Sequence, residues 1–315
     1  MTADATLPPA LELVTPRAHD LGGGFTVKRL LPSAGRQAVG PFVFFDHFGP
    51  VTARPGDNHD VRPHPHIGLA TLTWLFEGAM MHRDSTGAVQ RIEPGAVNWM
   101  TAGRGIVHSE RTPDDLRQQV RTSHGLQLWI ALPEAHEEDA PAFQHVPAGA
   151  IPTLTLESQG GGPAISVRVL VGQAFGRRSL VATLSPTLYL EFDLPAGASL
   201  MLPDFADACC CLPGRFEAAL YGVDGGFELD GQAVPAHQLA LLPEPAPGGA
   251  AGLRLYAPAA TRVMLVGGES LERRFIVWNF VSSRKERIEQ AQDDWRAQRF
   301  EPVPGETEFI PLPPG

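Results

Sequence analysis

The chain has 315 residues, 43% hydrophobic and 19% charged, which is enough for a globular protein of two ordinary domains. A formal net charge of −10 without any Lys/Arg-rich run argues against a nucleic-acid partner. No apolar stretch approaches the ~20 residues of a membrane-spanning helix, and Met1 to Leu13 lacks the basic-then-apolar order of a signal peptide. A cytoplasmic protein without a membrane partner is expected.

From the N-terminus, Phe25 to Leu31 alternates passably and Phe42 to Phe45 is a compact β-prone run. Asp46-His47, ahead of Phe48-Gly49, reads as a turn. Leu69 to Phe76 is β-branched and aromatic and closes on Glu77-Gly78. Met80 to Arg83 leads into the turn composition Asp84-Ser-Thr-Gly87. Val89 to Ile92 precedes Glu93-Pro-Gly95, Ala96 to Met100 is again strand-like, and Arg104 between Gly103 and Gly105 reads as a turn residue. Gly125 to Leu132, which carries Gln127 and Trp129, ends at Pro133. Short strands at near-regular spacing, in a chain with 33 Gly and 30 Pro, predict an all-β sandwich or barrel.

The acidic run Glu134 to Asp139 and the loop Gln159 to Pro163 break that rhythm. A second series of strands is then predicted at Ile165 to Val171, Ser179 to Leu184, Leu188 to Leu194, Phe216 to Gly222, Gln238 to Leu242 and Leu253 to Tyr256. The unit Gly222 to Gly231 reads as a hairpin. Two copies of one β architecture are expected, residues 1–150 and 151–315. Near the end, Ser283 and Glu286 form a capping-box pattern, and Ile288, Ala291 and Trp295 make one apolar stripe. Pro302 and Pro304 forbid continuation, so a C-terminal helix packed on a barrel is expected. Cys209-Cys210-Cys211 has no C-x-x-C spacing and reads as small apolar side chains in or near a buried strand, not as a disulfide framework.

Two tracts carry chemistry. His64-Pro-His66 and His108-Ser-Glu110 each place two metal-competent side chains at i and i+2, on one face of a strand. Two such strands facing each other would converge three imidazoles and one carboxylate, a set that suits a divalent first-row metal. Ten of the eleven histidines precede residue 150 and His237 alone follows, so the site belongs to the first half and the second half is expected to be metal-free. Structural zinc favours cysteine, which is not nearby, so an open site is expected. His82 reads either as a structural histidine or as a group beside the site; Gln127 and Trp129 read first as core.

The residues His64-Pro-His-Ile-Gly68, His82-Arg-Asp-Ser85, Pro94 to Glu110 and His124-Gly-Leu-Gln-Leu-Trp129 resemble the pirins, bicupins with a metal only in the N-terminal barrel. The resemblance is continuous from about Asp20 to Pro133 and looser beyond, where Val266-Gly-Gly-Glu269 and the terminal helix still look family-like. It implies two cupin-type jelly-roll barrels in tandem, with the metal ligands falling on His64, His66, His108 and Glu110. The carboxylate many cupins carry soon after His-x-His is absent, since Ala70 and Thr71 stand there. Many pirins read His-Pro-His-Arg-Gly-Phe-Glu where this chain has Ile67, Leu69 and Ala70, and Asn98 stands where the family often has Gln.

The resemblance further implies quercetin 2,3-dioxygenase activity. One divalent transition metal is expected, Fe(II) first, with Ni, Mn, Co, Cu or Zn as alternatives. A flavonol and O₂ would be the substrates, Glu110 would be both ligand and catalytic base, and ring cleavage would release CO. The alternative is a non-catalytic, metal- or redox-dependent regulator that binds a protein partner. A monomer is expected, because two fused barrels already supply the sheet that single cupins obtain by dimerising.

Overall fold

The computed structural model describes residues 10–20, 25–206, 215–243 and 252–314. The fold is all-β, with a C-terminal helix, and each half pairs a seven-stranded sheet with a four-stranded one, as the tandem-barrel expectation required. In the first half the large sheet runs Ala142–Val146, Val97–Thr101, Leu69–Glu77, Arg121–Ala131, Phe42–Ala53, Thr26–Leu31 and Arg17–Asp20 across its width. Its small partner is Val61–His66, Ile106–Arg111, Met80–Asp84 and Val89–Ile92. Among the described residues, no helix is long and apolar enough to cross a membrane.

The interior strands of the large sheets are buried on both faces, which explains their composition. Along Leu69–Glu77, Ala70, Leu72 and Trp74 point outward into one core with Leu126, Leu128, Phe42, Tyr189, Tyr221 and Val266, so the two halves pack sheet to sheet. Leu69, Thr71, Thr73 and Leu75 alternate inward. Polar groups fasten this seam: Trp74 Nε1 donates to Glu191 Oε2 at 2.8 Å, and His47 Nδ1 lies 2.6 Å from the Tyr221 hydroxyl. His47 Nε2 is 2.8 Å from His124 Nε2, and the His237 ring stands edge-on to His47. Asp46-His47 is therefore not a turn. It lies inside the long strand Phe42–Ala53, whose two-sided burial lets Asp46 face inward and His47 face the seam.

Both ends of the chain cross between the halves. Leu13–Val14 pairs with Leu239–Leu241 in the second large sheet. The hairpin of Phe275–Val277 and Phe280–Ser282 and the helix Lys285–Arg296 lie on the first barrel, where Phe280, Ile288, Ala291 and Trp295 pack with Ile67 and Val107. The apolar stripe of the helix is thus as expected, but Ser283 does not cap it. Its hydroxyl and backbone N–H both bind the buried Glu137 carboxylate, and Arg284 is the N-cap, its side chain donating to Glu138 Oε1 and not capping the helix.

Two further expectations are corrected. Ser179 to Leu184 forms no strand: the Ser179 hydroxyl donates to the Leu170 carbonyl and accepts from Val181 N–H, and Gln144 takes both backbone groups of Ala182. The hairpin in Gly222 to Gly231 lies later than its glycines suggested. Phe227–Leu229 pairs with Gln232–Val234 across Asp230-Gly231, both at positive φ, whereas Phe216–Gly222 is an interior strand of the large sheet. The cysteine run falls outside the described residues.

Burial pushes the His47 imidazole down to about 2. An unfolded histidine binds its proton near pH 6.5, so between these values the unfolded chain holds more protons. Stability from this group is complete above pH 6.5 and falls as pH drops, by about 1.4 kcal/mol per pH unit. Urea unfolding of chelator-treated protein at pH 7 and pH 5 is expected to show His47→Gln losing about 2 kcal/mol less than wild type over that interval. An equal loss would mean that folded His47 is already protonated at pH 5.

Candidate metal centre

Val61–His66 runs antiparallel to Ile106–Arg111, with His108 opposite His64 and Ile106 opposite His66. The i, i+2 spacing puts the three rings on one face, with centroids 4.3–5.0 Å apart. One ligand nitrogen from each lies within 4.8 Å of the other two. Among the described residues, this is the cluster of His, Cys, Asp and Glu side chains close enough to share an ion. The residues are 7%, 1% and 1% exposed.

Hydrogen bonds orient the rings. His64 Nδ1 is 2.9 Å from the Arg62 carbonyl and His66 Nδ1 is 3.2 Å from the Asn279 carbonyl. A carbonyl only accepts, so in the neutral rings each Nδ1 carries the proton and each Nε2 turns a lone pair into the cluster. Burial holds His64 at about 4 and, with the neighbouring rings, pushes His66 and His108 well below the ordinary histidine range. His66 Nε2 and His108 Nε2 are only 3.1 Å apart. Neutral nitrogens crowded in this way fit a divalent cation, whose charge would relieve the repulsion between facing lone pairs.

Glu110 lies two residues beyond His108 but outside that group of three. Across the next strand it stands opposite His82, and burial raises its carboxyl, partly offset by His82. The pairing slips here, because Glu110 is opposite Val61 and an extra residue sits in the facing strand. Ser109 points the other way and donates to Glu306 Oε1 at 2.6 Å, while Arg111 pairs with the same carboxylate. Ile310 N–H donates to the Pro63 carbonyl and Val281 N–H to that of Ile67. The C-terminal segment therefore braces both histidine strands from outside.

The facing wall is the inner side of the large sheet. Phe143, Met100, Thr71, Trp129 and Phe44 stand side by side across five strands. Trp129 meets the His66 ring edge-on at 5.2 Å and stacks on Phe44 at 4.0 Å, so it is a wall of the site as well as core. One pleat further runs a polar row: His145, Asn98, Thr73, Gln127, Asp46 and Arg29. Within it His145 Nδ1 bonds Asn98 Oδ1, Thr73 donates to Gln127, and Arg29 pairs with Asp46. Among the described residues the buried Asn98 amide nitrogen has no hydrogen-bond partner. Arg104 sits in the expected turn.

Asn279, the contact of Asp84 with His82 and the assembly of Asp46, Asn98 and Gln127 into one polar row were not read from the sequence. Asn279 contributes a backbone atom, which no side-chain motif can announce. The row had a faint signal, since Thr71 and Thr73 alternate with apolar residues that point into the seam.

The family profile for Pirin matches residues 24–130, and the profile for the Pirin C-terminal cupin domain matches residues 189–301. A pirin-like protein of Caulobacter vibrioides is 44% identical over 301 residues, covering 94% of this chain and 97% of its own. Mouse pirin is 33% identical over 289 residues, covering 90% of each. The crystal structure of a quercetin 2,3-dioxygenase from Acinetobacter baumannii matches with a TM-score of 0.83 and 32% identity, covering 96% of this chain and 95% of that one.

Gly68, two residues past His66, has φ +66°, and a Cβ there would collide with the Val281 carbonyl oxygen of the crossing hairpin. Gly68→Ala is expected to cost about 2 kcal/mol or more in denaturant unfolding. A change under ~0.5 kcal/mol would show that the hairpin does not press on this strand.

Proposed function

The chain belongs to the pirin family, and on that premise we propose that it is a metal-dependent quercetin 2,3-dioxygenase-type oxidoreductase. Its substrates would be a flavonol and O₂, and its products a ring-opened ester and CO. The observation that carries this reading is the meeting of three buried imidazoles, with one ligand nitrogen from each within 4.8 Å of the other two. The likeness to the Acinetobacter baumannii quercetin 2,3-dioxygenase supports it, since it extends over nearly the whole chain.

In this proposal His64, His66 and His108 hold the ion and Glu110 completes the set, with Fe(II) as the first choice of metal. Such an ion supplies a Lewis-acid centre that acidifies a hydroxyl bound to it. Three nitrogens and one oxygen leave room for a small molecule around a metal that prefers five or six ligands. Glu110 accepts the flavonol hydroxyl proton on a carboxylate oxygen. The aromatic wall of Phe143, Trp129 and Phe44 lies beside the histidines and offers faces and edges to a planar ring. The polar row begins about 7 Å further along the strands, where hydroxyls on a distant ring of the same substrate would find partners.

The test is O₂ uptake with quercetin by anaerobically Fe(II)-loaded protein, with CO measured alongside. Wild type is expected to consume O₂ and release CO, and His64→Ala to do neither for want of metal. Glu110→Gln is expected to keep most of its metal and lose turnover by 100-fold or more, on the order of a general base's contribution. Unchanged turnover in Glu110→Gln would remove the base assignment. Absence of uptake in metal-replete wild type would remove the dioxygenase reading and leave a metal-dependent binding role.

A further inference from the structure

We propose that His82 and Asp84 form a relay behind His108, fixing its tautomer so that His108 Nε2 is free to bind metal; they are positioning residues, and the inference rests on the metal reading above. Met80–Asp84 pairs antiparallel with Ile106–Arg111 on the side away from His64, with Asp84 opposite His108 and His82 opposite Glu110. Asp84 is fully buried, and its oxygens are divided between two tasks. Oδ1 accepts from the Thr86 backbone N–H at 2.9 Å, the Thr86 hydroxyl at 2.6 Å and the Ala88 N–H at 3.2 Å. Oδ2 faces His82 Nε2 at 2.9 Å.

A carboxylate only accepts, so the His82 proton sits on Nε2 and the neutral ring presents Nδ1 as an acceptor. That Nδ1 lies 3.4 Å from His108 Nδ1. His108 therefore donates from Nδ1 and keeps the lone pair on Nε2, the atom 3.1 Å from His66 Nε2. Phe143 stacks on His82 at 4.5 Å and 18°, holding the ring plane that this geometry needs. His64 and His66 obtain the same tautomer from backbone carbonyls. Among the described residues no carbonyl meets His108 Nδ1, and the side-chain relay takes its place.

The experiment measures Zn(II) affinity by competition with a chromogenic chelator and reads the ring nitrogens by ¹⁵N NMR. The variants are His82→Leu, which cannot accept, and His82→Gln, which can accept from His108 and donate to Asp84. Asp84 is left in place because it also holds the Thr86–Ala88 turn. His82→Leu is expected to bind Zn(II) 10–100-fold more weakly and to lose the uniform Nδ1–H signature of His108, while His82→Gln recovers most of both. His108→Ala, binding little Zn(II), marks the loss of the site itself. Wild-type affinity in a folded His82→Leu, or weak binding with an unchanged His108 tautomer, overturns the relay alone. A wild type that binds no Zn(II) overturns the metal reading and the relay with it. Neither readout depends on flavonol turnover, so an inactive but metal-tight protein would sink only the proposed reaction.

Discussion

The antiparallel pairing that sets His108 against His64 is the constraint on which the site depends. Each motif alone offers two side chains on one face of a strand. Only their register brings three nitrogens to one place, and a slip of one residue would turn a whole set away. The small sheet does not hold that register by itself. Its two histidine strands are pinned from outside by the last segment of the chain through Glu306, Ile310, Val281 and the Asn279 carbonyl. A segment that follows the second barrel in sequence thus belongs structurally to the centre of the first.

The first barrel divides its work by face. Outward residues of the large sheet close the seam with the second barrel, and that surface is apolar apart from a few polar groups, of which Trp74 with Glu191 and His47 with Tyr221 are paired and the buried Tyr189 hydroxyl has no hydrogen-bond partner among the described residues. Inward residues carry polarity that would be costly without partners, and nearly all of it is paired across neighbouring strands. The Asn98 amide nitrogen, without a partner among the described residues, is an exception inside the barrel. Concentrating imidazoles beside an aromatic wall keeps them neutral through burial, the state in which an imidazole can take a metal.

Much of this was legible in sequence because it is local. The His-x-His and His-x-Glu spacings, the β-branched and aromatic strand at Leu69–Glu77, and the Ile288–Ala291–Trp295 stripe all follow from local composition and side-chain periodicity. What was not legible depends on partners far along the chain. Ser283 looks like a helix cap until Glu137, nearly 150 residues earlier, claims it. Ser179 to Leu184 has strand composition but spends its hydrogen bonds on Leu170 and Gln144. Asp46-His47 looks like a turn because a polar pair in an apolar run usually is one, whereas here each residue serves a different buried face. His82 left two readings open, and only its contacts with Asp84 and His108 distinguish them.

The most direct measurement is the anomalous-scattering map of crystals grown with one equivalent of Fe(II) or Ni(II). A single peak is expected within about 2.2 Å of the Nε2 atoms of His64, His66 and His108, with the Glu110 carboxylate drawn in to complete the set. A peak elsewhere, or an ion held by fewer than three of these histidines, would contradict the claim that the paired strands build the metal centre.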